Sequence, residues 1–266
     1  MSASTPLSVS DVIARRKAAG SGAFIGYLPV GFPDLATSID AAVALAENGA
    51  DVLELGVPYS DPVMDGLVIQ RATQQALSNG FRLRDVFTAV EAIRSRVDIP
   101  VLVMTYWNPV LQFGVDRFAD ALVSAGGSGL ITPDITPDSA LDWIATSERT
   151  GLDRVFLAAP SSTDARLRET VAATRGFVYA VSTMGITGLR TDLDAAARTL
   201  VDRLREAGSS TTCVGIGISN ADQVSRVLEY ADGAIVGTAL VKALGDGGVR
   251  ELARTTSSLT SGTSLV

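Results

Sequence analysis

A chain of 266 residues, 47% hydrophobic and 19% charged, is long enough to bury a sizeable core and has the composition of an ordinary soluble enzyme. A net charge of −7 argues against a nucleic-acid groove, which needs clustered Lys and Arg. The lack of any His removes the commonest general base and metal ligand, and a lone cysteine, Cys213, excludes an intrachain disulfide or a thiolate metal cluster.

Taken in order, Ser8 to Ala19 predicts a leading helix stopped at Gly20, and Ala23 to Leu28 a first strand closed by Pro29. A helix from Leu35 ends at Asn48-Gly49, and the strand Asp51 to Gly56 follows. Two helices come next, over 68–77 and 83–97, then strand three at Pro100 to Thr105 with Tyr106 to Pro109 as its exit loop. Val115 to Ser124 reads as a helix and Gly129 to Thr132 as strand four. Pro137 stands at a first helical position with Thr136 as cap, opening a helix to Glu148. Strand five is Arg154 to Ala158, followed by the helix Asp164 to Thr174, and strand six is Gly176 to Ala180. Thr191 is placed as a helix cap, Thr212 to Gly215 as strand seven, Ser219 as the next cap and Asp232 to Val236 as strand eight. Gly237-Thr238 opens a last helical region.

Eight strand–helix units without a composition break predict one α/β domain over 1–266, a single (β/α)8 TIM barrel. The barrel and its extra N-terminal helix occupy 8–254, extra helices lie near strands two and eight, and the Ser/Thr/Gly tail over 255–266 is expected to fray. A doubly wound sheet would need a Gly-rich phosphate motif in its first βα turn, and Leu28 to Pro33 does not supply one. No apolar run approaches the ~18 residues of a membrane span. MSASTPLSVSD lacks the basic-then-apolar layout of a signal peptide, so a cytoplasmic location is expected.

In such a barrel, function belongs to the loops after the C-terminal ends of the strands. In the second strand only Glu54 interrupts an aliphatic run, and alternation puts it on the same face as Val52. A carboxylate facing a core is costly unless it is paired, hydrogen-bonded or protonated. A Tyr or a backbone N–H could satisfy it, but the following loop returns a second acid, Asp65, to the same mouth. Gly215 to Ser219 and Val236 to Ala239 bring glycines and a helix N-terminus to the ends of strands seven and eight. These are either packing turns or a phosphate cradle. The long polar loop Ser182 to Asp192 is either a connector or a lid. Only two lysines occur, Lys17 in the leading helix and Lys242 in the last helical region, so neither is placed for Schiff-base chemistry at a strand end, and proton transfer falls to carboxylates and tyrosines.

Leu53 to Gly66 resembles the signature of the tryptophan synthase α subunit family, matching it at Glu54, Gly56, Tyr59, Ser60, Asp61, Pro62, Asp65 and Gly66. It departs at Met64, where a small residue is usual, and at Leu67, where Pro often stands. Further matches are Met104 to Pro109, Leu157 to Thr163 with Ser161 in place of Thr, Gly185-Ile-Thr-Gly188, and Gly217, Gly237 and Thr238. Asp134 to Pro137 is a looser match.

The resemblance implies cleavage of indole-3-glycerol phosphate to indole and glyceraldehyde 3-phosphate. By the same resemblance Glu54 and Asp65 are the catalytic acids with Tyr179 beside the Glu, and Tyr106 belongs to the substrate pocket. Thr187 and Gly188 belong to the lid, and Gly188, Gly217, Gly237 and Thr238 hold phosphate. Pro58, Asp61 and Asn108 face a β subunit in an αββα assembly. No metal or cofactor is implied in this chain, and pyridoxal phosphate is implied in the partner. The alternatives are a stand-alone lyase, another phosphate-binding barrel such as a sugar-phosphate isomerase, and a non-catalytic regulatory partner.

Overall fold

The computed structural model describes residues 8–181, 190–215 and 217–263. Strands β1 (Ala23–Pro29), β2 (Val52–Gly56), β3 (Val101–Met104), β4 (Gly129–Thr132), β5 (Asp153–Ala158), β6 (Val178–Val181), β7 (Thr212–Gly215) and β8 (Gly233–Val236) pair in chain order. All neighbours are parallel, and β8 returns to β1 to close an eight-stranded barrel. Around it run α2 (Leu35–Glu47), α3 (Leu67–Ser78), α4 (Arg84–Arg94), α5 (Trp107–Phe113), α6 (Val115–Ser124), α7 (Leu141–Thr150), α8 (Asp164–Ala173), α9 (Arg190–Glu206), α10 (Ala221–Leu228) and α11 (Thr238–Thr260). The leading helix α1 (Val9–Ala18) is capped by the Ser8 hydroxyl, which accepts from the Asp11 N–H.

The strict alternation of the strands divides the core in two. Ile25, Val52, Leu102, Ile131, Val155, Phe177, Cys213 and Ile235 fill the inside of the barrel. Val9 and Ile13 of α1 join them, and the Val9 N–H donates to Asp153 Oδ2 at 3.1 Å, which docks α1 at the N-terminal mouth of β5. Phe24, Leu53, Leu55, Val103 and Leu130 point outward to the helices. Each such burial contributes about 1.5–3 kcal/mol. With the bottom closed by α1, the open end is the C-terminal one.

Five local expectations are corrected. Tyr106 to Pro109 is not a plain exit loop, because Trp107 begins α5. The cap comes from far along the chain: the Asp134 carboxylate accepts from the Trp107 N–H at 2.9 and 3.0 Å, which local reading could not show. Pro137 opens only a 3-10 turn, Pro137–Ser139, without a side-chain cap from Thr136, and α7 starts afresh at Leu141. Thr191 is not a cap, since α9 already begins at Arg190, and α10 is capped by Asn220 rather than Ser219.

The fifth correction is the tail. Over 255–263 the chain does not fray: α11 bends at Gly248, whose φ of 67° suits glycine, and continues to Thr260. Thr256 and Leu259 are buried. Thr260 Oγ1 donates to the Asn48 carbonyl at 3.1 Å, and the Gly22 N–H donates to the Thr263 carbonyl at 3.1 Å. Short hydroxyl side chains, read as loop composition, here find backbone partners inside the fold. Residues 264–266 lie outside the described residues.

Candidate active site

Tyr27 of β1 and Glu54 of β2 are register partners near the C-terminal end of the barrel. A cavity of about 150 Å3 opens there, lined by both, by Asp65, Tyr179, Gly217, Gly237 and Thr238, and by Met64, Ile69, Met104, Gly215 and Ile235. Seven of these twelve come from strands β1–β3 and β6–β8 (Tyr27, Glu54, Met104, Tyr179, Gly215, Ile235) or the residue just after β8 (Gly237). The closed sheet therefore brings together groups far apart in sequence.

Glu54 is 1% exposed, and its Oε2 has no hydrogen-bond partner among the described residues. Neither a tyrosine nor a backbone N–H satisfies that oxygen. Burial, with the charge of Asp65 as a second cause, pushes its carboxyl up to about 8. At neutral pH it is therefore a protonated acid facing a cavity. Tyr27 and Tyr179 are buried phenols pushed well above the ordinary tyrosine range, chiefly by burial, so both remain neutral.

Asp65 lies half-buried in the loop between β2 and α3. Burial raises its carboxyl, and the Tyr106 phenol works against that rise. Tyr106 also holds the loop itself, since its Oη accepts from the Val63 and Met64 N–H groups at 2.9 and 2.8 Å. The Tyr59 ring packs on Tyr106 at 5.2 Å between centroids, and Asn108 Nδ2 donates to Tyr59 Oη at 3.3 Å. An unbroken set of contacts thus runs from exposed Asn108 to the backbone beside Asp65.

Two glycines exist to make room for the phenols. A Cβ at residue 56 would collide with the Tyr27 hydroxyl, and one at 215 would lie 2.6 Å from Tyr179 Oη. Gly56→Ala is expected to cost about 1–3 kcal/mol of stability by overpacking and to displace Tyr27 from the cavity, lowering activity at the same time. Gly66→Ala, where an added Cβ meets nothing within 4 Å, serves as the control. Urea midpoints and turnover of the two variants, side by side, check this; equal behaviour would show that Gly56 is not a spacer.

Gly217, at φ 65°, and Gly237, the residue before α11, both line the cavity, as does Thr238, the first helical residue. No side chain caps α11, so its first-turn amides face the cavity side without a protein acceptor from a cap. Tyr106 lines a small adjoining chamber with Asp65, Tyr27 and Pro133. Asp61 and Asn108 are exposed, whereas Pro58 is buried within this chain. Thr187 and Gly188 lie outside the described residues. Sequence reading passed over Tyr27, although the alternation Ala23, Ile25, Tyr27 already set it on the inner face.

The family model described as tryptophan synthase alpha chain matches residues 13–262. The tryptophan synthase alpha chain of Leifsonia xyli subsp. xyli is 72% identical over 254 residues, covering 96% of this chain and 97% of that one. That of Mycobacterium avium is 57% identical over 240 residues, covering 90% and 88%. Among solved structures, Mycobacterium tuberculosis tryptophan synthase superposes with a TM-score of 0.92 at 50% identity, over 97% of this chain and 98% of that one. The tryptophan synthase complex of Pyrococcus furiosus gives 0.83 at 33% identity, over 91% and 99%. With a family model spanning nearly the whole chain and relatives this similar, the chain belongs to the tryptophan synthase alpha chain family.

Proposed function

We infer that this chain is a carbon–carbon lyase of tryptophan biosynthesis, cleaving indole-3-glycerol phosphate to indole and glyceraldehyde 3-phosphate by carboxylate acid–base catalysis. The observation that carries the reading is Glu54, a buried acid held protonated near neutral pH and facing the same cavity as Asp65. Glu54 gives its proton to the indole carbon that bears the side chain. Asp65 accepts a hydrogen bond from the ring N–H and stabilises the positive charge that develops there. The Glu54 carboxylate then takes the proton of the side-chain hydroxyl next to the ring. That oxygen becomes the aldehyde carbonyl, the carbon–carbon bond breaks, and its electron pair returns to the ring. Glu54 ends the cycle protonated, as it began.

Tyr179 stands beside Glu54 as a neutral phenol, and Tyr106 keeps Asp65 in place by holding its loop. Phosphate sits at Gly217, Gly237 and Thr238, where amides and a helix N-terminus face it. Gly188 and Thr187, which the resemblance assigns to the phosphate site and the lid, lie outside the described residues.

The partner is a pyridoxal-phosphate-dependent β subunit in an αββα assembly in the cytoplasm. Asp61 and Asn108 face it, and the exposed Val63, Leu67 and Leu111 extend the same surface with apolar area. Among the described residues no helix is long and apolar enough to cross a membrane. Docking at Asn108 would act through Tyr59 and Tyr106 on the loop that carries Asp65.

The test is indole release by the purified chain at rising concentrations of β subunit, beside Asn108→Ala. Activation that saturates, with a lower plateau for the variant, is expected. A flat response would favour a stand-alone lyase, and no indole under any condition would overturn the reaction itself.

A further inference from the structure

The catalytic cavity holds two acids, Glu54 and Asp65, and among the described residues no Lys or Arg lines it. A phosphate monoester arriving there meets no compensating cation among those lining residues, on a chain of net charge −7. Next to it lies a second, larger cavity of about 590 Å3, and the two share Gly217 and Thr238. Among the described residues the only cation lining that second cavity is Lys242, with Asp246 and Glu251 as its acids.

Lys242 follows Thr238 by four residues on α11, so the two side chains lie on one face. In the structure the Lys242 ammonium is turned toward the C-terminus, onto Asp246, and a change of rotamer toward the N-terminus, the direction in which helical side chains lean, carries it along the cavity wall toward Gly217 and Thr238. Lys242 is paired with Asp246 one turn further on, both about two-thirds exposed at 65% and 61%. An exposed pair of this kind is weak and cheap to open. Its order is also the poorer one, with the cation nearer the positive end of the helix dipole. Nothing in the helix itself favours a lysine in its second turn, whereas an anion seated at the helix N-terminus does.

We propose that Lys242 is a specificity-determining residue for the phosphate end of the substrate, leaving Asp246 to place its ammonium beside the dianion held at Gly217, Gly237 and Thr238. The inference rests on the phosphate placement given above and adds to it a formal positive charge that the described lining of the cradle does not supply. Asp246 is then a competitor for that ammonium, which tunes phosphate affinity downward.

The experiment measures kcat and KM for indole-3-glycerol phosphate, and inhibition by glycerol 3-phosphate, in the full chain and in Lys242→Met, Lys242→Arg, Asp246→Asn and Thr238→Val. A partly exposed charge-assisted contact predicts a rise in KM of about fivefold to twentyfold for Lys242→Met, with kcat within about twofold. Lys242→Arg should recover most of the affinity and Asp246→Asn should lower KM. The salt dependence of kcat/KM should also flatten in Lys242→Met. If Thr238→Val raises KM and Lys242→Met does not, the cradle stands and the lysine role is overturned. If neither variant changes KM, the phosphate placement fails and the lysine role with it. Equal losses of stability and affinity in Lys242→Met and Asp246→Asn would make the pair a helix staple and also overturn the proposal.

Discussion

Glu54→Gln is expected to lose cleavage by on the order of 10²–10⁴ in rate, or more because one group serves two proton transfers, while the barrel becomes more stable. The amide has nearly the shape of the acid and cannot donate the proton. The stability gain has a definite pH dependence. The carboxyl sits at about 8 in the fold against an ordinary value of 4.5, so the folded state holds a proton that the unfolded chain gives up. The wild-type chain therefore has this contribution in full below about 4.5 and loses it as pH rises through about 8. A shift of this size corresponds to a few kcal/mol, on the order of 1.4 per pH unit. The melting-temperature difference between Glu54→Gln and wild type should thus widen from pH 5 to pH 9. Near-normal turnover with an unchanged circular dichroism spectrum would remove Glu54 from the reaction.

The parts of this molecule that were legible in the sequence are those fixed by local pattern. Strand periodicity placed Glu54 on the same face as Val52, which the barrel turns inward, and β4, β7 and α6 have the bounds read from residues alone because Gly, Ser and Pro punctuate them. What escaped was decided by distant partners. The start of α5 depends on Asp134, a residue in a different loop. The tail is ordered by Asn48, Arg16 and Gly22, none of which its Ser/Thr composition reveals. Tyr27 escaped for a further reason. Its place in the site depends on the missing side chain of Gly56 on the next strand, a relation between two strands that only the barrel register makes visible.

Asp65→Asn is expected to reduce kcat by about 10²–10³, the range for removing one preorganised electrostatic stabiliser, and to move the pH profile of what remains. The asparagine keeps a hydrogen-bond acceptor for the ring N–H but loses the charge opposite the developing cation. Its second effect falls on Glu54. Burial is the main cause of the raised Glu54 carboxyl, and the negative charge of Asp65 is the other. Neutralising Asp65 leaves burial alone, so the Glu54 carboxyl drops from about 8 and the acid form is lost at lower pH. The alkaline limb of kcat/KM, which reports the free enzyme, should shift downward in Asp65→Asn. Tyr106→Phe offers a comparison, because it loosens the loop at the Val63 and Met64 N–H groups without removing the charge. That variant should lose rate while leaving the alkaline limb nearer its wild-type position. A reduced rate in Asp65→Asn with an unmoved alkaline limb would mean that the two acids do not sense each other across the cavity. A wild-type rate would mean that the positive charge on the ring is stabilised by something other than Asp65.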